Sequence, residues 1–400
     1  MTATLRVLVI GPGAAGASDA LRFEAFVPEL ARHAVELVSW TPGDPATEED
    51  PFGALEAVIG WSDVVVLRRH YRTWHACLGC GLRTLDTREA RSHGRVAGHL
   101  VVPAPYFGIR PLIGLLEAER GVLGNRAIVY DTDDDVFSAE LPAGAEDLLE
   151  LDLIERILRL ADLVTTTTPV LAERLAPHTL AAVRVIRNAV DPGWYEAGRP
   201  DGPAEAPGEP RVIYHGAAVR LRDYEVARPA VDAVARDTPT LRRVWLGADA
   251  AQVAGVVDEV RPWVRSRPAF AAALVAARPG IGLAPLQDTP YNRARSELHW
   301  LEYALAGAAT IVSGLAGPGP YDVVRDGVDG LVARAGTDWE RHLRSLATSP
   351  GLRSEMAARA RERVLAEYTV AARAPEWANA YRWAAEHAGL GRARTAASAG

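Results

Sequence analysis

Four hundred residues are enough for two domains that each bury a core, and 48% hydrophobic with 24% charged residues is an ordinary globular composition. A net charge of −7 argues against wholesale coating of nucleic acid, and no run of about 18 apolar residues offers a spanning helix. All 44 basic residues are arginine, which excludes a P-loop lysine or a lysine Schiff base and leaves phosphate to arginine or backbone N–H groups.

Residues 4–40 read as strand, glycine turn, amphipathic helix and strand. The amino terminus is too short and wrongly flanked for a signal peptide, so a cytoplasmic location is expected. GPGAAG, Gly11 to Gly16, matches G-x-G-x-x-G, but a dinucleotide fold wants an acidic residue where Ser39 and Trp40 stand. The turn around Gly13 is instead expected to bring backbone N–H groups and a helix N-terminus to a ligand. Further strands are expected from Asp63, from Gly98 (GHLVVPAP) and from Ala127, then in ADLVTTTTP and VRVIRNAVD. Alternation of strand and helix calls for a mostly parallel sheet covered on both faces.

Residues 196–210 are rich in proline and glycine without apolar periodicity, and read as a linker between domains at 1–195 and 211–390. Beyond it RVIYHGA, LRRVWLGAD, AAALVAARPGIGLAPL, ATIVSG and GVDGLVA restart the alternation, a mostly helical stretch covers 337–388, and 391–400 read as a disordered tail. The expected fold class is α/β, with two doubly wound Rossmann-like domains and a ligand cleft at the carboxyl ends of their strands.

Both cysteines fall in one segment, where Cys77, Cys80, His93 and His99 are spaced C-x2-C-x12-H-x5-H, inside the zinc-finger pattern. Cys77 and Cys80 would form the knuckle of a short ribbon and His93 and His99 would sit near the end of a helix loosened by Gly94 and Gly98. His70 and His75 are rival ligands, and a redox C-x-x-C or free thiols are the alternatives to zinc. Residues 68–99 hold seven Arg against one Asp and one Glu, a basic insertion that either braces its domain or holds a polyanionic acceptor such as DNA or RNA.

IGLAPLQDTPYNRARSELHWLEYALAGAATIVSG, followed by VVRDGVDGLV at 323–332, resembles the donor-binding half of retaining GT-B glycosyltransferases of the glycogen-synthase-like superfamily. ADLVTTTTPVLAERL and VRVIRNAVDPGWY resemble the end of that family's acceptor half. The resemblance implies sugar transfer from a nucleotide-sugar, UDP-linked first, without a catalytic metal. In that family a Glu opens a helix of the form E-x-x-x-x-G and holds the ribose diol; here Glu302 and Gly307 take those places. Arg295 and Arg220 or Arg222 match the phosphate-binding cations, with Arg293 and His215 alongside. The family's second Glu, eight positions before the first, is Ala294 here, and Glu297 lies half a turn off register. DTDDD, Asp131 to Asp135, could be the Asp-x-Asp metal motif of the other glycosyltransferase fold, but the surrounding pattern favours Asp133 as an acceptor-orienting or helix-capping group. Some bacteriophage enzymes of this fold glycosylate hydroxymethylated bases, so the acceptor stays open among nucleic acid, protein and small molecule. A non-catalytic binding module on the same scaffold is the rival reading.

Overall fold

The structure, a computed structural model, describes residues 3–10, 21–40, 57–68, 75–77, 83–85, 101–103, 126–140, 151–196, 209–264 and 266–390. By its packing the chain divides into two compact units: Met1–Asp19, Phe26–Ile186 and Ala374–Gly400 in the first, Ala20–Ala25 and Arg187–Arg373 in the second.

In the first unit, β1 (Leu5–Ile10), β2 (Val35–Trp40) and β3 (Val64–Arg68) precede three short strands, β4 (His75–Cys77), β5 (Arg83–Leu85) and β6 (Val101–Pro103). Then come β7 (Ala127–Thr132), β8 (Leu163–Thr166) and β9 (Ala182–Val185). The main sheet runs β2-β1-β3-β7-β8-β9, parallel throughout. Its central strands are buried on both faces, which explains the unbroken apolar runs VVVL and AIVY. Helices α1 (Val27–Arg32), α2 (Leu151–Leu160) and α3 (Pro169–Leu175) connect them. The start of α3 is fixed by Thr168, whose Oγ1 accepts from Leu171 N (3.2 Å), and by Pro169 in the first turn.

The strand expected from Gly98 does not join this sheet. Its described part, Val101–Pro103, pairs antiparallel with β4, Cys77 opposite Val101. A three-residue apolar run ending in proline, which cannot donate to a ladder, suits the rim of a small sheet better than the middle of a large one. The other partner of β4 is β5, also antiparallel, with Cys77 opposite Arg83. A short ribbon is therefore present, with Cys77 closing its first strand. Cys80, His93 and His99 lie outside the described residues, as do Gly13, linker residues 197–208 and the tail from 391.

The second unit repeats the plan with β10 (Arg211–His215), β11 (Arg242–Leu246), β12 (Glu259–Arg261), β13 (Ile281–Ala284), β14 (Ala309–Ser313) and β15 (Leu331–Ala333). Its order is β12-β11-β10-β13-β14-β15, again parallel. The edge strand β12, the charged triplet EVR, carries no apolar signal and escapes a sequence reading. Helices α4 (Arg228–Asp237), α5 (Arg267–Ala276), α6 (Leu298–Ala306), α7 (Gly336–Thr348) and α8 (Pro350–Glu367) complete it, and α9 (Val370–Glu386) starts in it. Alternate strand residues enter different cores: Ile213, Val244 and Leu246 join Phe270, Trp300 and Tyr303, whereas Val212, Tyr214 and Trp245 join Val231, Trp339 and Leu343. In each sheet the order reverses beside the first strand, between β10 and β13 in the second unit, the place where open parallel sheets commonly take a ligand at their strands' carboxyl ends.

Residues 187–196 belong with the second unit although they precede the proline-rich segment. Val190 N donates to Tyr368 O (3.0 Å), Val370 N to Val190 O (3.2 Å), and Tyr195 is buried in the Phe270 core. Helix α9 begins in the second unit and continues into the first, where Trp377 meets Phe26 edge-on at 6.1 Å. Among the described residues no helix is long and apolar enough to cross a membrane.

Candidate functional site

The carboxyl end of β10 is shaped by two glycines. Gly216 and Gly247 sit at φ +148° and +107°, and a Cβ on Gly247 would lie 3.1 Å from Gly216 O. Only glycine lets the two loops cross this closely. Trp245 Nε1 donates to Gly216 O (2.8 Å) and locks the crossing from beneath.

His215, just before this crossing, is buried and faces α6. The helix starts at Leu298, after Glu297 at its N-cap, and ends on Gly307 at φ +87°, the left-handed cap that the E-x-x-x-x-G pattern requires. Glu302 does not open the helix, as the resemblance implied. It is the fifth residue and only 1% exposed, because the apolar LHWL before it is packed into the core as a full helical turn. Its Oε1 is bound by the guanidinium of Arg267, the first residue of α5, and its Oε2 lies 3.2 Å from His215 Nε2 without the alignment of a hydrogen bond. Three elements thus deliver one carboxylate, one guanidinium and one imidazole. Burial, then Arg267 and Arg295, hold His215 neutral with a pKa of about 3. The His299 ring lies tilted against it, centroids 4.1 Å apart, and its pKa is held well below the usual value, again chiefly by burial, with His215 and Arg295 adding to it.

A second buried carboxylate organises the neighbouring loops. Asp223, in the one-turn helix Leu221–Tyr224, accepts at Oδ1 from Asn292 Nδ2 (2.8 Å) and Gln287 N (3.1 Å). Its Oδ2 stands 3.9 Å from Arg220 Nη1 and 3.8 Å from Arg295 Nη1. At that range it attracts both guanidinium groups without consuming their N–H donors, and among the described residues neither spends a side-chain hydrogen bond elsewhere. Arg220 and Arg295 are therefore gathered. Arg293 is engaged with Asp288 (2.6 Å), and Arg222 is exposed and unpaired among the described residues. Ala294 is buried, and the Glu297 carboxylate is taken up by Arg187 Nη1 (3.2 Å). Burial raises the pKa of Glu297, and Arg187 opposes the shift.

In the first unit the acidic run follows β7. Asp131 Oδ2 and Asp133 Oδ1 lie 3.9 and 3.5 Å from the buried Arg68 guanidinium, and Thr165 Oγ1 donates to Asp131 Oδ1 (2.7 Å). Asp135 is bound by Arg174. The Arg68 guanidinium thus lies between Asp131 and Asp133, and among the described residues no group of three or more metal-ligating side chains occurs. Arg267, Asp223, Asn292 and His299 escape a reading of the sequence, for SRP reads as a helix cap and RD as surface charge.

Residues 223–379 match the family described as "Glycosyl transferase-like". No curated protein matches the chain. Among solved structures, HepE of Anabaena in complex with UDP-glucose is 12% identical with a TM-score of 0.57, over 94% of this chain and 98% of that one. Sucrose-phosphate synthase from Thermosynechococcus elongatus is 14% identical with a TM-score of 0.60 (95% and 98%). An alpha-glucosyltransferase in complex with UDP is 9% identical with a TM-score of 0.63 (95% and 100%). Such identities show the shared GT-B fold. The family match covers residues 223–379, which fall almost wholly in the second unit.

Proposed function

We propose that the chain transfers a sugar from a nucleoside diphosphate donor, a UDP-sugar first, to an acceptor hydroxyl with retention of anomeric configuration. The buried Arg267–Glu302–His215 cluster beside the Gly216 crossing carries this reading. Arg267 occupies one oxygen of Glu302, and the other, which has no aligned hydrogen bond from His215, accepts from the ribose diol. Arg220 and Arg295, kept at hand by Asp223, draw the departing diphosphate, for which bidentate guanidinium donors are well suited. Asp133, at the carboxyl end of β7, orients the acceptor. The complexes of HepE with UDP-glucose and of the alpha-glucosyltransferase with UDP support a uridine donor. The test is a panel of nucleoside diphosphates in thermal unfolding, then their sugars in a transfer assay with sugar, peptide and hydroxymethylated-DNA acceptors. A ligand at 100 times its Kd stabilises by about 2.7 kcal/mol, so one nucleotide is expected to stand out. A flat response with no turnover would leave a binding module on this scaffold.

In the basic insertion we place a structural zinc at Cys77, Cys80, His93 and His99, on the strength of their spacing and of the β4–β5 ribbon that begins at His75. Four protein ligands leave no position open for water. Elemental analysis of purified protein is expected to find about one zinc per chain, and Cys77→Ser to lose it. Metal-free wild-type protein contradicts the assignment. The excess of arginine in the same insertion either braces its domain or holds a polyanionic acceptor such as DNA or RNA, with protein and small-molecule acceptors open beside it.

A further inference from the structure

The segment VRVIRNAVD ends beyond β9 in a pair of polar residues, Arg187 and Asn188, that pack with the second unit. Asn188 is buried, and the backbone next to it is fixed, since Val190 bridges in parallel to Thr369 in the turn between α8 and α9. From this base Asn188 Nδ2 donates to Ser296 Oγ (2.9 Å), and Arg187 Nη1 donates to Glu297 Oε2 (3.2 Å). Ser296 and Glu297 are the two residues that separate Arg295 from the start of α6. On the other side of Arg295, Asn292 Nδ2 donates to Asp223 Oδ1 (2.8 Å) and to Gln287 O (3.0 Å), and Asn292 O accepts from Arg295 N (3.3 Å). The backbone of Arg295 is therefore held from both directions, by Asn292 before it and by Ser296 and Glu297 after it.

We infer that Asn188 is a positioning residue for Arg295, acting through Ser296, an assignment that rests on the donor reading above. A guanidinium on a long side chain is aimed only as well as the Cα that carries it. Asp223 attracts the Arg295 guanidinium from 3.8 Å without binding it, so the backbone supplies the rest of the aim. Asn188 fixes that backbone on its helix side, where no other side chain bonds Ser296 among the described residues. Glu297 belongs to the same device. Its carboxylate is fully buried against Arg187, and its main-chain oxygen accepts from Trp300 N (2.9 Å), so it anchors the start of α6 rather than replacing the glutamate whose place Ala294 takes. A displacement of about 1 Å at Arg295 costs the transition state more than the bound donor, because charge reaches the diphosphate only as the glycosidic bond breaks.

Steady-state turnover by the full-length chain tests the assignment, on whichever nucleotide-sugar of the panel above the wild type consumes fastest, at a temperature below the unfolding midpoint of every variant. Asn188→Ala is expected to lower kcat by about tenfold and to leave KM close to the wild-type value. Ser296→Ala, at a half-buried position, removes the other half of the same hydrogen bond and is expected to match it, whereas Ser296→Thr keeps the hydroxyl and recovers most of the rate. Placed on Arg295→Ala, Asn188→Ala should add little, since the group it aims is gone. A folded Asn188→Ala with wild-type kcat overturns the assignment. So does a loss confined to KM, or one that multiplies in full with that of Arg295→Ala, either of which would leave Asn188 as a brace for the loop. Wild-type protein that turns over no nucleotide-sugar overturns the donor reading, and this assignment with it.

Discussion

Glu302→Ala is expected to destabilise the protein by about 3–5 kcal/mol, and to abolish most of its affinity for nucleoside diphosphate. The carboxylate is buried against an equally buried guanidinium, so truncation strands the Arg267 charge in a low-dielectric setting rather than merely removing a surface contact. Burial already pushes the Arg267 pKa down, which shows how poorly its surroundings would tolerate the charge unpaired. Urea unfolding measures the stability loss. The functional share is separated by Glu302→Gln, which keeps shape and one acceptor while losing the charge. If Glu302 holds the ribose, the Gln variant, titrated below its unfolding midpoint, binds UDP weakly yet binds pyrophosphate as the wild type does. Wild-type UDP affinity in a folded Gln variant would reduce Glu302 to a core ion pair.

This pair also marks where sequence reading stops. The β strands were legible because both faces are covered, which turns VVVL, AIVY and ATIVS into continuous apolar runs. Gly307 is picked out by the E-x-x-x-x-G resemblance, and the fold supplies its use, a left-handed cap at the end of α6. The position of Glu302 within its helix was not, since the N-terminus depends on whether LHWL packs as helix or loop, and tertiary burial decides that. Arg267 is 35 residues from Glu302, and no local pattern announces so distant a partner. The small sheet was misread for a related reason: VVP carries the apolar signal of a buried strand, and only pairing with His75–Cys77 shows which sheet it joins. Site residues that act through a motif can be read from the chain; those that act through a neighbour need the fold.

Arg295→Ala is expected to lower kcat by about 10²–10³-fold, with a far smaller change in KM. Negative charge gathers on the diphosphate as the glycosidic bond breaks, so a cation with uncommitted donors stabilises the transition state more than the bound donor. Asp223 is what keeps those donors uncommitted. It stands 3.8 Å from Arg295 and 3.9 Å from Arg220, close enough to orient both and too far to bind them, while Asn292 and Gln287 N hold the carboxylate itself in place. Asp223→Asn retains an acceptor for those two hydrogen bonds and removes the attraction for the arginines. Its kcat should therefore fall by about tenfold, between wild type and Arg295→Ala, because the guanidinium groups remain but are less well aimed. In the double variant Asp223→Asn/Arg295→Ala the Asp223 change should add little, since most of its effect passes through the missing arginine. Steady-state kinetics over the donor identified by thermal shift reads all three variants. Full additivity of the two substitutions, or a loss confined to KM, would mean that Asp223 supports the loops without positioning the charge.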